Sequence, residues 1–417
     1  MTVFYVLRVL MFLLSFVLED WALHELLPNK RERAVALMLV ASSYVTWTFQ
    51  AHTFSNSIET IIVLWCLVLM ARLKDNSRHT QVKLCVALAF LGLLGLFNRI
   101  TFPAFLLVPG VQLLPHLKIK PWRLPVMLAS SALTTLVAVA MDTEYYNGNR
   151  LHLRQLLSTT VVTPWNNLAY NLDSANLAEH GLHPFWQHFV ANLPQLIGPA
   201  FPLLFISSKK GTLFWSGISG IAVLSCFRHQ EPRFLLPAVP LLLASIRLPK
   251  HLSQLWICTW VAFNILAAVV FGFYHQAGVV PVQSWIAHQP NVSHALWWKT
   301  YSPPRWLLDG QSAHVNTTDL MGMSGPLMIE QLRTAVPGYG SDNAALLIAP
   351  SSAVFLDAYT TSFETNTDSE LVFEQLFNYR QHIGLDDLDF GDDGVWSTLE
   401  RVIGRRGLAV WRVSKVC

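Results

Sequence analysis

Arg228-His229-Gln230-Glu231-Pro232-Arg233-Phe234 lies between two apolar runs, Gly211 to Phe227 and Leu235 to Ile246. Arg228, His229, Gln230, Glu231 and Arg233 all carry charge or strong hydrogen-bonding groups. Ionisable groups flanked this tightly by membrane-type sequence are costly unless they meet water, a partner or a ligand. The alternative is a loop that turns the chain at a bilayer surface, where charges are tolerated. Either way, the stretch marks a polar turn between two membrane segments.

The composition outward from this turn agrees. Of 417 residues, 53% are hydrophobic and only 13% charged, against about 25% charged in soluble domains. The apolar residues fall in blocks near the ~17–25 residues that span a bilayer. A polytopic membrane protein follows. The net charge of +3 is too small to indicate a nucleic-acid partner, and none is expected. Cys66, Cys85, Cys226, Cys258 and Cys417 include no CxxC spacing, so no zinc or redox motif is expected. Cys417 does not complete a prenylation box.

Along the chain, spans are expected at Val3 to Leu18, Ala34 to Phe49, Ser57 to Met70, Leu84 to Phe97, Phe102 to Leu114, the stretch ending at Ala140, Phe189 to Ile206, the stretch ending at Phe227, Phe234 to Ile246 and Leu255 to Tyr274. That makes about ten transmembrane helices. Pro194, Pro199 and Pro202 predict a broken or kinked helix in the seventh. The loops at 29–33, 72–83, 117–123, 209–210 and 247–250 are basic. They alternate with less basic loops at 50–56, 98–101, 141–188 and 228–233. The positive-inside rule puts the basic set in the cytoplasm, and the other set with the tail after Tyr274 on the opposite, lumenal side.

The tail holds two glycosylation sequons on that side, Asn291-Val292-Ser293 and Asn316-Thr317-Thr318. Ala345 to Ala349 and Leu408 to Val413 read as strands, and Val395 to Val402 as a helix. Asp386, Asp387, Asp389, Asp392 and Asp393 do not have the spacing of a helix–loop–helix calcium site, and no metal is expected. The expected architecture is an all-α membrane domain over 1–274, with a lumenal loop at 141–188, and a small lumenal α/β domain over 275–417. With Lys30 to Arg33 cytoplasmic, Met1 would be lumenal and flush with a span, which predicts that the chain lacks an upstream portion.

Four lumenal clusters could line one polar site: Gln50 to Glu59, Asn98 to Pro103, Asn166 to Asn171 with His180 to Pro184, and the opening turn. Arg99, Arg228, Arg233 and the histidines suit a phosphate. Glu59, Asp173, Glu179 and Glu231 could accept protons, and Tyr170 and Trp186 could stack on a sugar. A transporter would place its ionisable groups near the bilayer midplane; here they sit at helix ends, as in an enzyme working on a lipid-linked substrate.

His229-Gln230-Glu231-Pro232-Arg233-Phe234 resembles the H-x-E-x-R-F signature of glycosyltransferase family 22, the GT-C mannosyltransferases. More closely, the chain is similar to the fungal GPI mannosyltransferase 4 subfamily. The likeness is carried by Ser55-Asn56-Ser57-Ile58-Glu59-Thr60, Phe97-Asn98-Arg99-Ile100-Thr101-Phe102-Pro103, Asn176-Leu177-Ala178-Glu179-His180-Gly181-Leu182-His183-Pro184, Asn192 to Pro199 and Tyr274 to Pro281. The resemblance implies an endoplasmic reticulum membrane enzyme with a GT-C-like fold. Such an enzyme moves mannose from dolichol-phosphate mannose to the 2-hydroxyl of the third mannose of a GPI precursor glycolipid, with inversion and no cofactor. It implies that Arg99, His229 and Arg233 hold the donor phosphate, that Glu231 orients one of them, and that His180 and His183 contact the acceptor glycan. Glu59 reads as a group hydrogen-bonded within the helix bundle.

The chain also departs from that pattern. Relatives are expected to carry a lumenal His-Pro-Asp-Glu string whose Asp is the base, and no such string occurs here. The catalytic residue is therefore unassigned, and the chain reads as N-terminally truncated, its activity as written left open. The competing readings are a related mannosyltransferase acting on another GPI or N-glycan mannose, and a non-catalytic membrane subunit or multipass transporter.

Overall fold

The structure is a computed structural model. It describes residues 1–75, 81–148, 159–172, 183–249, 253–308, 314–337, 344–360, 371–385, 388 and 394–415. The chain forms two compact units, Val6–Leu266 and Met1–Tyr5 with Ala267–Cys417.

The first unit is helical. Its leading helices are α1 (Thr2–Leu26), α2 (Lys30–Ser42), α3 (Ser55–Lys74), α4 (Gln81–Asn98), α5 (Pro103–Ile119) and α6 (Arg123–Asn147). Six helices among the described residues are long and apolar enough to cross a membrane: α1, α3, α4, α6, His188–Ile206 and Ser253–Tyr274. Two shorter apolar helices, α5 and Thr212–Leu224, accompany them. These helices do not match the ten expected spans one for one, and the reasons are local. Residues expected as a ninth span form only a 3-10 turn, Pro232–Leu235, and a buried helix, Ala238–Leu243. Pro232, Pro237 and Pro240 each remove a backbone donor there. The basic stretch after the first span is not a loop but the first turn of α2, because the Asn29 side chain caps the Arg31 and Glu32 amides at 2.9 and 3.2 Å. α1 runs past Leu18 to Leu26 and so includes Glu19 and Asp20. The polar stretch expected from Met141 begins inside α6, which continues to Asn147 and stops at Gly148, whose φ of 64° suits glycine.

The broken seventh segment is as expected. A π-helical turn (His188–Asn192), a helix (Leu193–Ile197), a 3-10 turn (Gly198–Ala200) and a second helix (Phe201–Ile206) follow one another. α3 is the centre of the bundle, with 78% of its apolar window buried, whereas that of α6 is 0% buried. α6 and α1 therefore present their apolar faces outward, as lipid-facing helices do. α5 and Thr212–Leu224 approach closely. Ser216 and Ser219 donate to the Phe105 and Ala104 carbonyls at 2.6 and 2.9 Å, and Gly220 leaves room for the Phe105 ring. Small residues and hydroxyls at helix crossings are the usual packing devices where lipid surrounds a bundle.

Contacts respect the two loop sets separated by charge. On the basic side, Glu32 pairs with Lys209 at 3.2 Å and Arg247 at 3.6 Å, and Arg123 donates to Gln81 at 2.7 Å. On the other side, Arg99 reaches Ser55 and Asn56, Arg233 lies over Phe54, and the His183 amide donates to the Arg228 carbonyl.

The second unit carries a five-stranded sheet of order β2-β1-β3-β5-β4: β1 Val292–Trp297, β2 Asn316–Asp319, β3 Ala344–Pro350, β4 Leu371–Tyr379 and β5 Leu408–Lys415. β1 pairs parallel with β2 and β3, while β5 runs antiparallel to β3 and β4. Period-two alternation sends Ala345, Leu347 and Ala349 to one core with Met328 and Leu332. Leu346 and Ile348 face the other, with Val282 and Ile286. The two strands and the helix expected in the tail are present, the helix as Gly394–Gly404. The acidic run from Asp386 lies outside the described residues except for its neighbour Leu388. Asn291 and Asn316 are both exposed, Asn291 in a turn with φ 60° and Asn316 at the start of β2.

Candidate functional site

The polar turn at 228–234 meets the ends of α3 and α4. α4 stops at Asn98, and Pro103 opens α5 five residues on. The Asn98 side chain then donates to the Ser55 carbonyl at 2.9 Å, which ties this end to the start of α3. That anchor delivers Arg99. Its guanidinium lies 3.2 Å from Glu59, donates to Ser55 Oγ and Asn56 Oδ1 at 3.2 and 3.3 Å, and covers the Phe234 ring at 5.0 Å. Burial lowers Arg99 below the usual arginine range, against the opposing pull of Glu59. Asn56 and Thr101 also donate to Glu59, at 3.3 and 3.5 Å. Glu59 is therefore a fully engaged carboxylate inside the bundle.

Glu231 is the second carboxylate. Its Oε1 accepts from His229 Nε2 and Arg233 Nη2, each at 2.9 Å, and its Oε2 lies 2.5 Å from Arg233 Nε. Burial alone would raise this carboxyl. The hydrogen bonds from His229 and Arg233 and the Arg233 charge overcome it and hold the group down to about 2. Arg233 also lies over Phe54 and Phe234, at 5.6 and 5.7 Å, so Phe234 is shared by two guanidinium groups. The adjacent Pro232 starts a 3-10 turn and fixes how the motif leaves the preceding residues.

The structure thus brings Arg99, His229, Glu231 and Arg233 into one cluster and adds Glu59 to it. His183 joins its margin: Nδ1 accepts from the Gln230 amide at 3.4 Å, and its ring lies 6.4 Å from that of His229. His180 lies outside the described residues.

Three residues that hold this cluster were not singled out from sequence. Gln230, 1% exposed, accepts from the His188 amide at 2.9 Å and donates to the Ser225 and Phe227 carbonyls at 3.2 and 2.9 Å. Asn192 donates to His188 Nδ1 at 2.9 Å, which leaves the His188 proton on Nε2. That Nε2 is buried without a hydrogen-bond partner among the described residues. Gln230 occupies a variable position of the signature, and His188 and Asn192 sit where the apolar pattern begins, so no periodicity marks them. No group of three or more His, Cys, Asp or Glu residues with metal-ligand geometry occurs among the described residues. Chemically, two arginines and a histidine donate around two carboxylates that are engaged in ion pairs. Such a set can bind and orient an anion. Asp173 and Glu179, the other proton acceptors expected from the sequence, lie outside the described residues.

The Alg9-like mannosyltransferase family model matches residues 1–308. Curated proteins similar to the chain include GPI mannosyltransferase 4 of Aspergillus oryzae, 48% identical over 99% of this chain and 83% of its own. That of Emericella nidulans is 44% identical over 98% and 82%, and that of Saccharomyces cerevisiae 33% identical over 91% and 78%. Among solved structures, ArnT from Cupriavidus metallidurans in the apo state superposes with a TM-score of 0.46 at 10% identity, covering 97% of this chain and 83% of its own.

Proposed function

The chain belongs to the Alg9-like mannosyltransferase family, and from that premise we propose that it adds the fourth, side-branch mannose to a trimannosyl GPI precursor. The observation that carries the reading is the 48% identity to a GPI mannosyltransferase 4 over 99% of the chain. The multi-span helical unit supports it, since donor and acceptor of such a reaction are lipid-linked.

In this proposal the donor is dolichol-phosphate mannose, and the acceptor is the 2-hydroxyl of the third GPI mannose. The site, the sequons and the sheet unit face the lumen of the endoplasmic reticulum. The donor carries its own leaving group, so one inverting displacement at the anomeric carbon suffices and no nucleotide, metal or other cofactor is needed. As the glycosidic C–O bond breaks, charge grows on the departing phosphate. Arg233 and Arg99 stabilise that charge, because prepositioned cations favour the transition state more than the ground state. Glu231, ionised throughout the neutral range, keeps His229 and Arg233 in one orientation and is a positioning residue. His183 and, by resemblance, His180 lie toward the acceptor. The base that takes the acceptor proton is not assigned: Glu59 and Glu231 are engaged in ion pairs, and Asp173 and Glu179 lie outside the described residues.

The test is a microsomal assay in cells lacking their own fourth-mannose activity, with the chain present at a measured level in the membrane. Dolichol-phosphate mannose and trimannosyl GPI are supplied, and the glycolipid products are separated. A tetramannosyl product with a new α-1,2 linkage supports the reading. Transfer to a different mannose, or none at all, overturns it.

A further inference from the structure

The sheet unit contains a cavity of about 550 Å³ that the transfer reaction does not use. It sits where β3 and β4 end and β5 begins, since Pro350, Leu408 and Tyr379 are aligned across the three strands. Its charge is unbalanced. Arg380, Arg405 and Arg406 line it, against the single carboxylate of Asp357. Asp357 is spent on Arg405, which donates to both its oxygens at 2.7 and 2.5 Å. Arg380 and Arg406 have no carboxylate within ion-pairing distance among the described residues.

The lining also carries uncharged polar side chains, Thr360, Gln375 and Asn378, beside the arginines.

We propose that this cavity binds a phosphorylated saccharide. Two guanidinium groups without a carboxylate partner among the described residues, Arg406 donating only to the Ile403 carbonyl at 3.4 Å, suit a phosphate, which arginine recognises with paired N–H donors. The volume is far larger than a phosphate needs. The remaining lining includes Gln375, Asn378 and Thr360, amide and hydroxyl side chains of the kind that receive sugar hydroxyls. The site shares no residue with the Arg99–Glu231 cluster, so it stands or falls separately from the transfer activity.

The full chain in lipid nanodiscs, titrated with mannose 6-phosphate, mannose and inorganic phosphate by ligand-observed NMR, tests this. Mannose 6-phosphate should bind at least ten-fold more tightly than either comparator. The double substitution Arg380→Ala with Arg406→Ala should weaken it at least ten-fold. Asp357→Asn should tighten it several-fold, because Arg405 is released to the ligand, a gain that misfolding does not produce. Equal affinity for inorganic phosphate and the sugar phosphate overturns the saccharide. No binding, or binding indifferent to all three substitutions in variants with the parent circular dichroism, overturns the site.

Discussion

Glu59–Arg99 and Glu231–Arg233 are the same chemical pair in two settings. The Glu59 side chain is 1% exposed and the Glu231 side chain 30%. Glu59 lies inside α3, with its partner brought in by the anchored end of α4. Glu231 lies in a short turn with both partners two residues away. The sealed pair joins elements distant in sequence and so constrains the fold. The open pair is local, contributes little to packing, and leaves Arg233 partly accessible to a ligand. Both arginines face the proposed phosphate, but only the Glu59 pair also ties distant elements together, because its carboxylate is sealed from solvent.

The sharpest way to break this comparison is Glu59→Ala. It strands the Arg99 charge inside the bundle, and the expected loss is about 3–5 kcal/mol of stability, read as a lowered melting temperature of the detergent-solubilised protein. Adding Arg99→Met should recover most of it; a single mutant that melts like the parent refutes the structural role. Arg233→Ala should lower melting much less, by only the part of the Glu231 pairing that the half-exposed Arg233 supplies. It should lower mannosyl transfer about 10²–10³-fold, the usual scale for losing one charge-stabilising donor.

Acid sharpens the contrast next. The folded Glu231 carboxyl titrates at about 2, below its ordinary value of 4.5. The unfolded chain therefore binds the proton first, and stability falls as pH drops between those two values. The melting difference between the parent and Glu231→Gln should be constant above about pH 4.5 and shrink on acidification toward about pH 2. A difference that does not change over that window contradicts the ionised, doubly bonded Glu231. The smallest effect belongs to Phe234→Leu. It removes the ring shared by Arg99 and Arg233, worth about 0.5–1 kcal/mol. KM should rise a few-fold with kcat close to the parent.

Much of this site was legible in the sequence because its parts are short and local. His229, Glu231 and Arg233 lie within five residues, so any turn brings them near one another. Arg99 was marked by its place between two apolar blocks, before Pro103. What linked Arg99 to the turn was not legible, since it depends on Asn98 reaching Ser55 and on Phe234 lying under two guanidinium groups. Gln230 was given no role of its own, and His188 escaped notice, for a related reason. Their importance comes from hydrogen bonds to carbonyls and amides, which no side-chain pattern encodes. In the sheet unit, β3 was visible as an apolar run and β5 as one that only Arg412 interrupts before Val413. β1, β2 and β4 were not, because His294, Asn316 and Glu374 interrupt their patterns.

By itself the sequence determined that the chain is a multi-span membrane protein, which loops share a side, and where the seventh segment breaks. Those properties depend on apolar length, charge placement and proline, each of which acts locally. Only the tertiary structure decided how many segments are long helices, which carboxylate is sealed and which is open, and that an arginine-lined cavity exists at the end of a sheet. These depend on burial, and burial is set by neighbours that are distant in sequence. In the turn from Arg228 to Phe234 the two kinds of information meet: its charges were plain from the start, but their partners came from the fold.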